Sequence, residues 1–217
     1  MKPQVLIADD HVLVAEGIQK LLEPEVDFVA SVCDGRALMQ AVEKYNPDIV
    51  VVDISLPLLN GLDATRQIKK SRPELKVIVL TMHAEQMYVT EAFRIGVSGY
   101  VLKQSVSSEL LQAIREVVKG NTFVSPTIAQ GLIDRAMNPP QESVEGRNDF
   151  ATPLSARQRE VLQLLAEGRS NKEIASILNV TIKTVEFHKT HIIKQLGLRT
   201  TAELTKYAIA HGLVSLQ

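Results

Sequence analysis

Apolar runs rich in β-branched residues recur through the first half of the chain at 4–8, 27–32, 48–52, 76–80 and 99–102. Between and after them, apolar positions fall at helical spacing over roughly 11–23, 35–45, 60–70, 85–95 and 106–119. Pro24, Pro47, Pro73 and the pair Gly96/Gly99 punctuate the connections, and Gly120 suits the end of the fifth helix. Strand and helix in strict alternation predict an α/β fold, a five-stranded doubly wound parallel sheet with helices on both faces.

The pattern then changes. Residues 126–137 suit one more short helix, and 138–150, with two prolines and many polar residues, reads as a linker. From 153 onward only helical periodicity remains, over about 155–167, 171–178, 182–196 and 201–211. Ser155, Ser170 and Thr181 stand where N-caps belong, with Glu173 placed to close a capping box. Gly168, Gly197 and Gly212 stand where helices stop. The organisation expected is 1–120, a short helix plus linker over 121–152, and a smaller all-α domain over 153–217, without internal repeats.

Composition narrows the class. A chain of 217 residues with 45% hydrophobic content is ordinary globular protein. No stretch approaches the ~18 apolar residues of a membrane span, and Met1-Lys2-Pro3-Gln4 runs directly into a strand pattern, so neither membrane nor signal peptide is expected. The single Cys33, at a strand end, excludes an internal disulfide, fits the cytoplasm and reads as a structural thiol. The net charge of −1 conceals an asymmetry: residues 1–120 carry 13 Lys+Arg against 16 Asp+Glu, and residues 153–217 carry 9 against 5. A basic end can seek nucleic acid, and a solvated helical surface gives the same count.

The strand ends carry the chemistry. The first run ends in Asp9-Asp10, the third in Asp53, the fourth in Thr81 and the fifth in Lys103. In an open parallel sheet the ligand crevice lies at the carboxyl ends of the strands, so three carboxylates, a hydroxyl and an amine converge there. That set suits Mg2+ and a phosphoryl group. Asp10 and Asp53 supply carboxylate ligands, and Asp9 orients a bound water. A carboxylate can also attack phosphorus to give an aspartyl phosphate. Lys103 holds a phosphoryl oxygen as a point charge and the Thr81 hydroxyl bonds another. Singly, each has a plain structural reading: a capping Asp or Thr, or a solvated Lys. Agreement at four strand ends is what points to a site.

On Asp9-Asp10, Asp53, Thr81 and Lys103, with Pro57 and Gly61 in the loop after Asp53, residues 1–120 resemble the receiver domain of two-component response regulators, a flavodoxin-like fold. The resemblance implies that Asp53 is the phosphoacceptor and that Asp10, Asp53 and the main-chain carbonyl of Ser55 ligate the cation. It also implies a switch, with Thr81 moving toward the phosphoryl group and Tyr100 turning inward; the plain alternative is a Tyr100 that packs on the fourth helix. Side chains at Ser55 and His83 are implied to modulate attack of water on the phosphoryl group. Gln104 departs from the proline common after the lysine.

Leu154 to Gly168 forms an amphipathic helix with Val161, Leu162, Leu164 and Leu165 inward, and two helices joined at Leu178-Asn179-Val180 suit a helix-turn-helix. This half resembles the LuxR-type DNA-binding module through Leu154-Ser155, Asn171-Lys-Glu-Ile-Ala175, Thr184-Val-Glu-Phe-His188 and Lys194-Gln-Leu-Gly197. Together the halves are similar to regulators of the NarL/FixJ type. Val185, Ile192, Ile193 and Leu196 fit an inward stripe, leaving Lys183, Thr184, Glu186, Phe187, Lys189 and Thr190 for DNA. Lysines bind phosphates, Glu186 can accept from cytosine or simply be solvated, and Phe187 can touch a thymine methyl. Asn171 and Lys172 suit backbone phosphates, and His188 suits a phosphate or an intradomain bond.

The resemblance implies a cytoplasmic transcriptional regulator rather than an enzyme. A histidine kinase phosphorylates Asp53 with Mg2+, and the chain binds double-stranded DNA as a homodimer, through a receiver helix face or through 201–211. Three rivals remain distinct. A regulator acting without phosphate meets an intact pocket. An aspartate-nucleophile phosphohydrolase lacks its second Asp, because Ser55 stands two residues after Asp53. A quorum-sensing regulator needs a ligand cavity in the first half that a parallel sheet does not suggest.

Overall fold

The structure, a computed structural model, describes residues 2–137 and 154–214, and the chain divides into two compact units. The linker expected over 138–150 lies outside the described residues. In the first unit, strands β1 (Gln4–Ala8), β2 (Asp27–Val32), β3 (Ile49–Val52), β4 (Lys76–Thr81) and β5 (Gly99–Leu102) alternate with helices α1 (Val12–Leu22), α2 (Gly35–Tyr45), α3 (Gly61–Ser71), α4 (Gln86–Arg94) and α5 (Val106–Val118). The boundaries fall within a few residues of the hydrophobic pattern.

With Phe123–Val124 as β6, all strands pair in parallel, in the order β2-β1-β3-β4-β5-β6. The central strands are apolar throughout, because both faces are covered. Val5, Ile7, Ile49, Val51, Ile78, Leu80 and Val101 share one core with Ala15, Ile18 and Leu22 of α1 and Leu110, Ala113, Ile114 and Val117 of α5. Leu6, Val50, Val79 and Tyr100 alternate with these along the strands and are equally buried. Cys33 lies just past the edge strand β2 and is exposed, outside the core.

The sheet has six strands, not five. Phe123–Val124 forms β6, which pairs in parallel with Gly99 and Tyr100 of β5. Two apolar residues are too short a run to signal a strand; the contacts come from tertiary structure. Phe123 closes the α5 side of the core, and the helix expected over 126–137 follows as α6 (Pro126–Met137), opened by a proline at its first turn. Ser125 fastens the junction. It is fully buried; its N–H donates to the Tyr100 carbonyl at 2.9 Å, its hydroxyl accepts from the Leu102 N–H at 3.1 Å and donates to the Glu109 carboxylate. Ser125→Ala strands a buried N–H and a carboxylate, and is expected to lower unfolding free energy by about 1–3 kcal/mol with an unchanged m-value in urea titration.

The second unit holds α7 (Ala156–Ala166), α8 (Asn171–Ile177), α9 (Ile182–Leu196) and α10 (Thr201–Ala210). Ser155 and Ser170 cap their helices with complete capping boxes, Thr181 caps α9 through the Thr184 N–H, and Gly197 ends α9 in the left-handed region. Val161, Leu162, Leu164, Leu165, Ile174, Val185, Ile192 and Leu204 form its core. Asn179, at φ 51°, makes the tight turn between α8 and α9, and the Arg157 guanidinium holds that turn by donating to the Leu178 carbonyl at 2.7 Å.

Candidate functional site

β1, β3, β4 and β5 deliver their terminal residues to one end of the sheet. The Lys103 ammonium stands 2.7 Å from Asp9 Oδ2 and 2.9 Å from Asp53 Oδ2. Asp9 and Asp53 are each 3% exposed, so this is a buried charge cluster at the mouth of the crevice. The carboxylates hold the Lys103 ammonium above its ordinary range although burial acts the other way. Burial dominates at Asp53 and pushes its carboxyl above the usual carboxylate range; Asp9 adds to the shift, and Lys103 and the Ser55 N–H oppose it.

Ligand atoms of Asp9, Asp10, His11 and Asp53 all lie within 4.8 Å of one another. Asp9 Oδ2 and Asp10 Oδ1 are buried and face Lys103 and His11 at ion-pair distance, yet neither meets a donor in hydrogen-bond geometry. Hard oxygen donors with unused lone pairs fit a small divalent cation. The three carboxylates Asp9, Asp10 and Asp53 therefore meet, and His11 joins them. Its Nδ1 lies 2.9 Å from Asp10 Oδ1 and 3.2 Å from Asp9 Oδ1, and its main-chain N–H donates to Asp9 at 2.9 Å. Sequence reading passed over His11, although its place directly after Asp9-Asp10 at a strand end was the available signal.

The loop after Asp53 depends on Gly61. A Cβ there would lie 1.9 Å from the Asp53 carbonyl oxygen, so only glycine lets the start of α3 approach the Asp53 backbone. Thr81 is fully buried with its hydroxyl accepting from the His83 N–H at 3.2 Å. Tyr100 is fully buried and its hydroxyl donates to the His83 carbonyl at 2.9 Å. The ring thus points inward, and burial raises its phenol far above the ordinary value. Ser55 and His83 meet, Oγ to Nε2, at 3.4 Å.

On α9, Lys183, Glu186, Phe187, Thr190, His191 and Lys194 are exposed and recur at helical spacing, a single outward stripe. Val185 and Ile192 are buried behind it, with Ile193 and Leu196 half-buried against the same core. Thr184, His188 and Lys189 flank the stripe and are half-buried. Phe187 packs against His191 with the rings tilted at 41° and their centres 4.3 Å apart, and meets His188 edge-on at 5.7 Å. Burial, with Arg157 and His191 nearby, lowers the His188 pKa, which favours a neutral imidazole over a charged phosphate ligand. The Thr184 hydroxyl pairs with Thr181 at 2.9 Å and the Thr190 hydroxyl donates to the Glu186 carbonyl at 2.9 Å. His191 and Lys194 complete the stripe and were absent from the expected set. At α8, Asn171 opens the helix beside an exposed Lys172.

Residues 5–115 match the family model of the response regulator receiver domain, and residues 152–208 match bacterial regulatory proteins of the luxR family. The chain is a two-component response regulator of the LuxR family. It is 36% identical over 214 residues to the oxygen regulatory protein NreC of Staphylococcus carnosus, covering 97% of this chain and 99% of that protein. It is also similar to RcsB from Salmonella enterica serovar Typhimurium, solved bound to promoter P1flhDC with the phosphomimetic BeF3-, at 30% identity and a TM-score of 0.59, covering 95% of this chain and 98% of that one. A structure of two RcsB dimers bound to two parallel DNAs matches at 31% identity, TM-score 0.59, with 95% of this chain and 98% of that chain covered. A response regulator of this kind regulates transcription, and the family's members are regulators rather than enzymes. No helix among the described residues is long and apolar enough to cross a membrane.

Proposed function

We propose that Asp53 accepts a phosphoryl group from a histidine kinase and that this controls dimerisation and DNA binding by the C-terminal unit in the cytoplasm. The observation that carries the reading is the convergence of Asp9, Asp53 and Lys103 in one buried cluster, with Asp10 beside it. Asp10, Asp53 and the Ser55 carbonyl would hold Mg2+, with Asp9 acting through water. When bound, the cation supplies positive charge that offsets repulsion between the acceptor and the incoming phosphoryl group.

The remaining work falls to the chain's own groups. An Asp53 oxygen forms the new bond to phosphorus while the bond to the kinase histidine nitrogen breaks, and that nitrogen leaves with the electron pair. Lys103 is already charged and aimed at this point, so it can turn from Asp53 to a phosphoryl oxygen without reorganisation. Thr81 gives up the His83 N–H to donate its own hydroxyl. His83 links the two switch groups, because its N–H meets Thr81 and its carbonyl meets Tyr100. Movement of Thr81 therefore disturbs the hydrogen bond from the Tyr100 hydroxyl to the His83 carbonyl, and Tyr100 repacks. An open groove beside Lys103, lined by Leu13, Gly17, Ile18, Leu21, Met82 and Val106, leaves Leu13 82% and Met82 71% exposed and gives the phosphodonor protein an apolar surface to dock on.

DNA recognition falls to α9. Lys183 and Lys194 bracket the outward stripe as phosphate contacts, with Lys172, Asn171 and Lys189 at its margin. Glu186 and Phe187 project from the first turns, where a recognition helix meets base edges. Phe187, 59% exposed, offers an apolar contact to thymine methyls. The Thr190 and Thr184 hydroxyls are committed within the protein, so these residues shape the surface rather than read bases. One small helical unit makes few phosphate contacts, and pairing on tandem half-sites is the route to useful affinity.

The test compares affinity of the full chain for promoter DNA with and without beryllofluoride and Mg2+. Affinity is expected to rise at least about tenfold, the effect of ~1.4 kcal/mol of coupling. Equal affinities would favour a regulator that works without phosphate.

A further inference from the structure

Among the described residues, the imidazole of His11 is the nitrogen ligand that groups with the carboxylates of the acidic crevice at metal-ligand spacing. Among the described residues, Asp9, Asp10, His11 and Asp53 are the group of metal-capable side chains that brings its ligand atoms within 4.8 Å of one another. Two ligands on opposite sides of one small dication stand about 4 Å apart. His11 Nδ1 already lies 2.9 Å from an Asp10 oxygen, and its ring, 60% exposed, needs only a small turn to point its lone pair at a cation that Asp10 holds. Its backbone is fixed for that turn, since the main-chain N–H is tied to Asp9 and the main-chain carbonyl accepts the first helical bonds of α1 from Val14 and Ala15.

We propose that His11 is a protein ligand of the receiver cation and makes the pocket prefer first-row transition dications, such as Mn2+ and Co2+, over Mg2+. The inference rests on the pocket of Asp10, Asp53 and the Ser55 carbonyl proposed above. Carboxylate, carbonyl and water oxygens suit Mg2+, which dehydrates reluctantly and keeps several waters. An imidazole nitrogen replacing one of those waters gains little with Mg2+ and more with an open-shell transition ion. The three neighbouring carboxylates pull any dication toward the ring, so the selectivity comes from the nitrogen and the affinity from the oxygens. A consequence is that the pocket would report on the intracellular supply of transition metal as well as on the phosphodonor.

The experiment uses full-length protein, with Mn2+ alone and Mg2+ alone as probes, in the wild type, His11→Gln and Asp10→Asn. Dissociation constants come from calorimetry, and pulsed electron paramagnetic resonance reads nitrogen coupling to bound Mn2+. Expected are a nitrogen coupling in the wild type that is lost in both variants, Mn2+ affinity at least about tenfold weaker in His11→Gln, and Mg2+ affinity within about twofold of wild type in that variant. A wild type that binds Mn2+ without nitrogen coupling, or a Mn2+/Mg2+ preference unchanged by His11→Gln, overturns the role of His11 and leaves the oxygen pocket standing. Failure of the wild type to bind either ion, or undiminished binding in Asp10→Asn, overturns the pocket itself. Circular dichroism melts confirm that each variant is folded, so loss of coupling reads as loss of a ligand.

Discussion

Asp53→Asn is expected to abolish uptake of phosphoryl mass from acetyl phosphate, read by intact-protein mass spectrometry, and with it any effect of the phosphodonor on DNA affinity. An amide of the same shape keeps the packing at the end of β3 but offers no anionic oxygen to attack phosphorus. The same variant has a stability signature of known sign. Burial raises the Asp53 pKa in the folded protein. Between the ordinary value of about 3.9 and the raised one, the folded state holds more protons than the unfolded state, so stability falls as pH rises through that window. Asp53→Asn removes this fall. Its melting temperature is expected to exceed the wild type's at pH 7 and to converge with it near pH 4, in cation-free buffer. A variant that gains phosphoryl mass like the wild type would remove Asp53 from its role.

Lys103→Met carries the second large effect. The side chain is 10% exposed and faces two carboxylates that are almost fully buried. Removing the ammonium leaves Asp9 and Asp53 as an uncompensated like-charge pair, and breaking a buried ion pair from one side costs about 3–5 kcal/mol. Urea titration at pH 7 is expected to show a loss of that size. The loss shrinks as pH is lowered toward the point where Asp53 takes up a proton. In the wild type, Lys103 has a raised pKa, so its contribution is complete below the ordinary value of about 10.4 and disappears only as pH climbs through the folded value. A loss below about 1 kcal/mol at pH 7 would mean that the pair is solvated as a surface bridge is.

Most of the architecture was legible because two periods were clean. Fully apolar four-residue runs such as Ile49–Val52 are what a strand covered on both faces requires, and Ser155, Ser170 and Thr181 marked helix starts that the structure realises with side-chain caps. The polar residue ending each run was legible for the same reason, since parallel strands put all their ends on one side. What escaped was set by tertiary contact. Phe123–Val124 has no pattern of its own and is a strand only because β5 offers an unpaired edge. His11 reads as an ordinary exposed histidine until the turn after β1 folds it back over Asp10. The outward stripe of α9 was half-read: the inward residues were identifiable by spacing, whereas the inclusion of His191 and Lys194, and the withdrawal of the Thr184 and Thr190 hydroxyls into local bonds, needed coordinates.

The sixth strand also decides where the receiver half can be cut free. A fragment ending after α5 would bare the main-chain donors and acceptors of Gly99 and Tyr100, on the strand that leads to Lys103. Naked sheet borders recruit other chains, so such a truncate would tend to self-associate by strand addition, and its oligomers would mimic signalling without reflecting it. Ending the fragment beyond α6 keeps the border sealed, and any pairing then observed belongs to the helices.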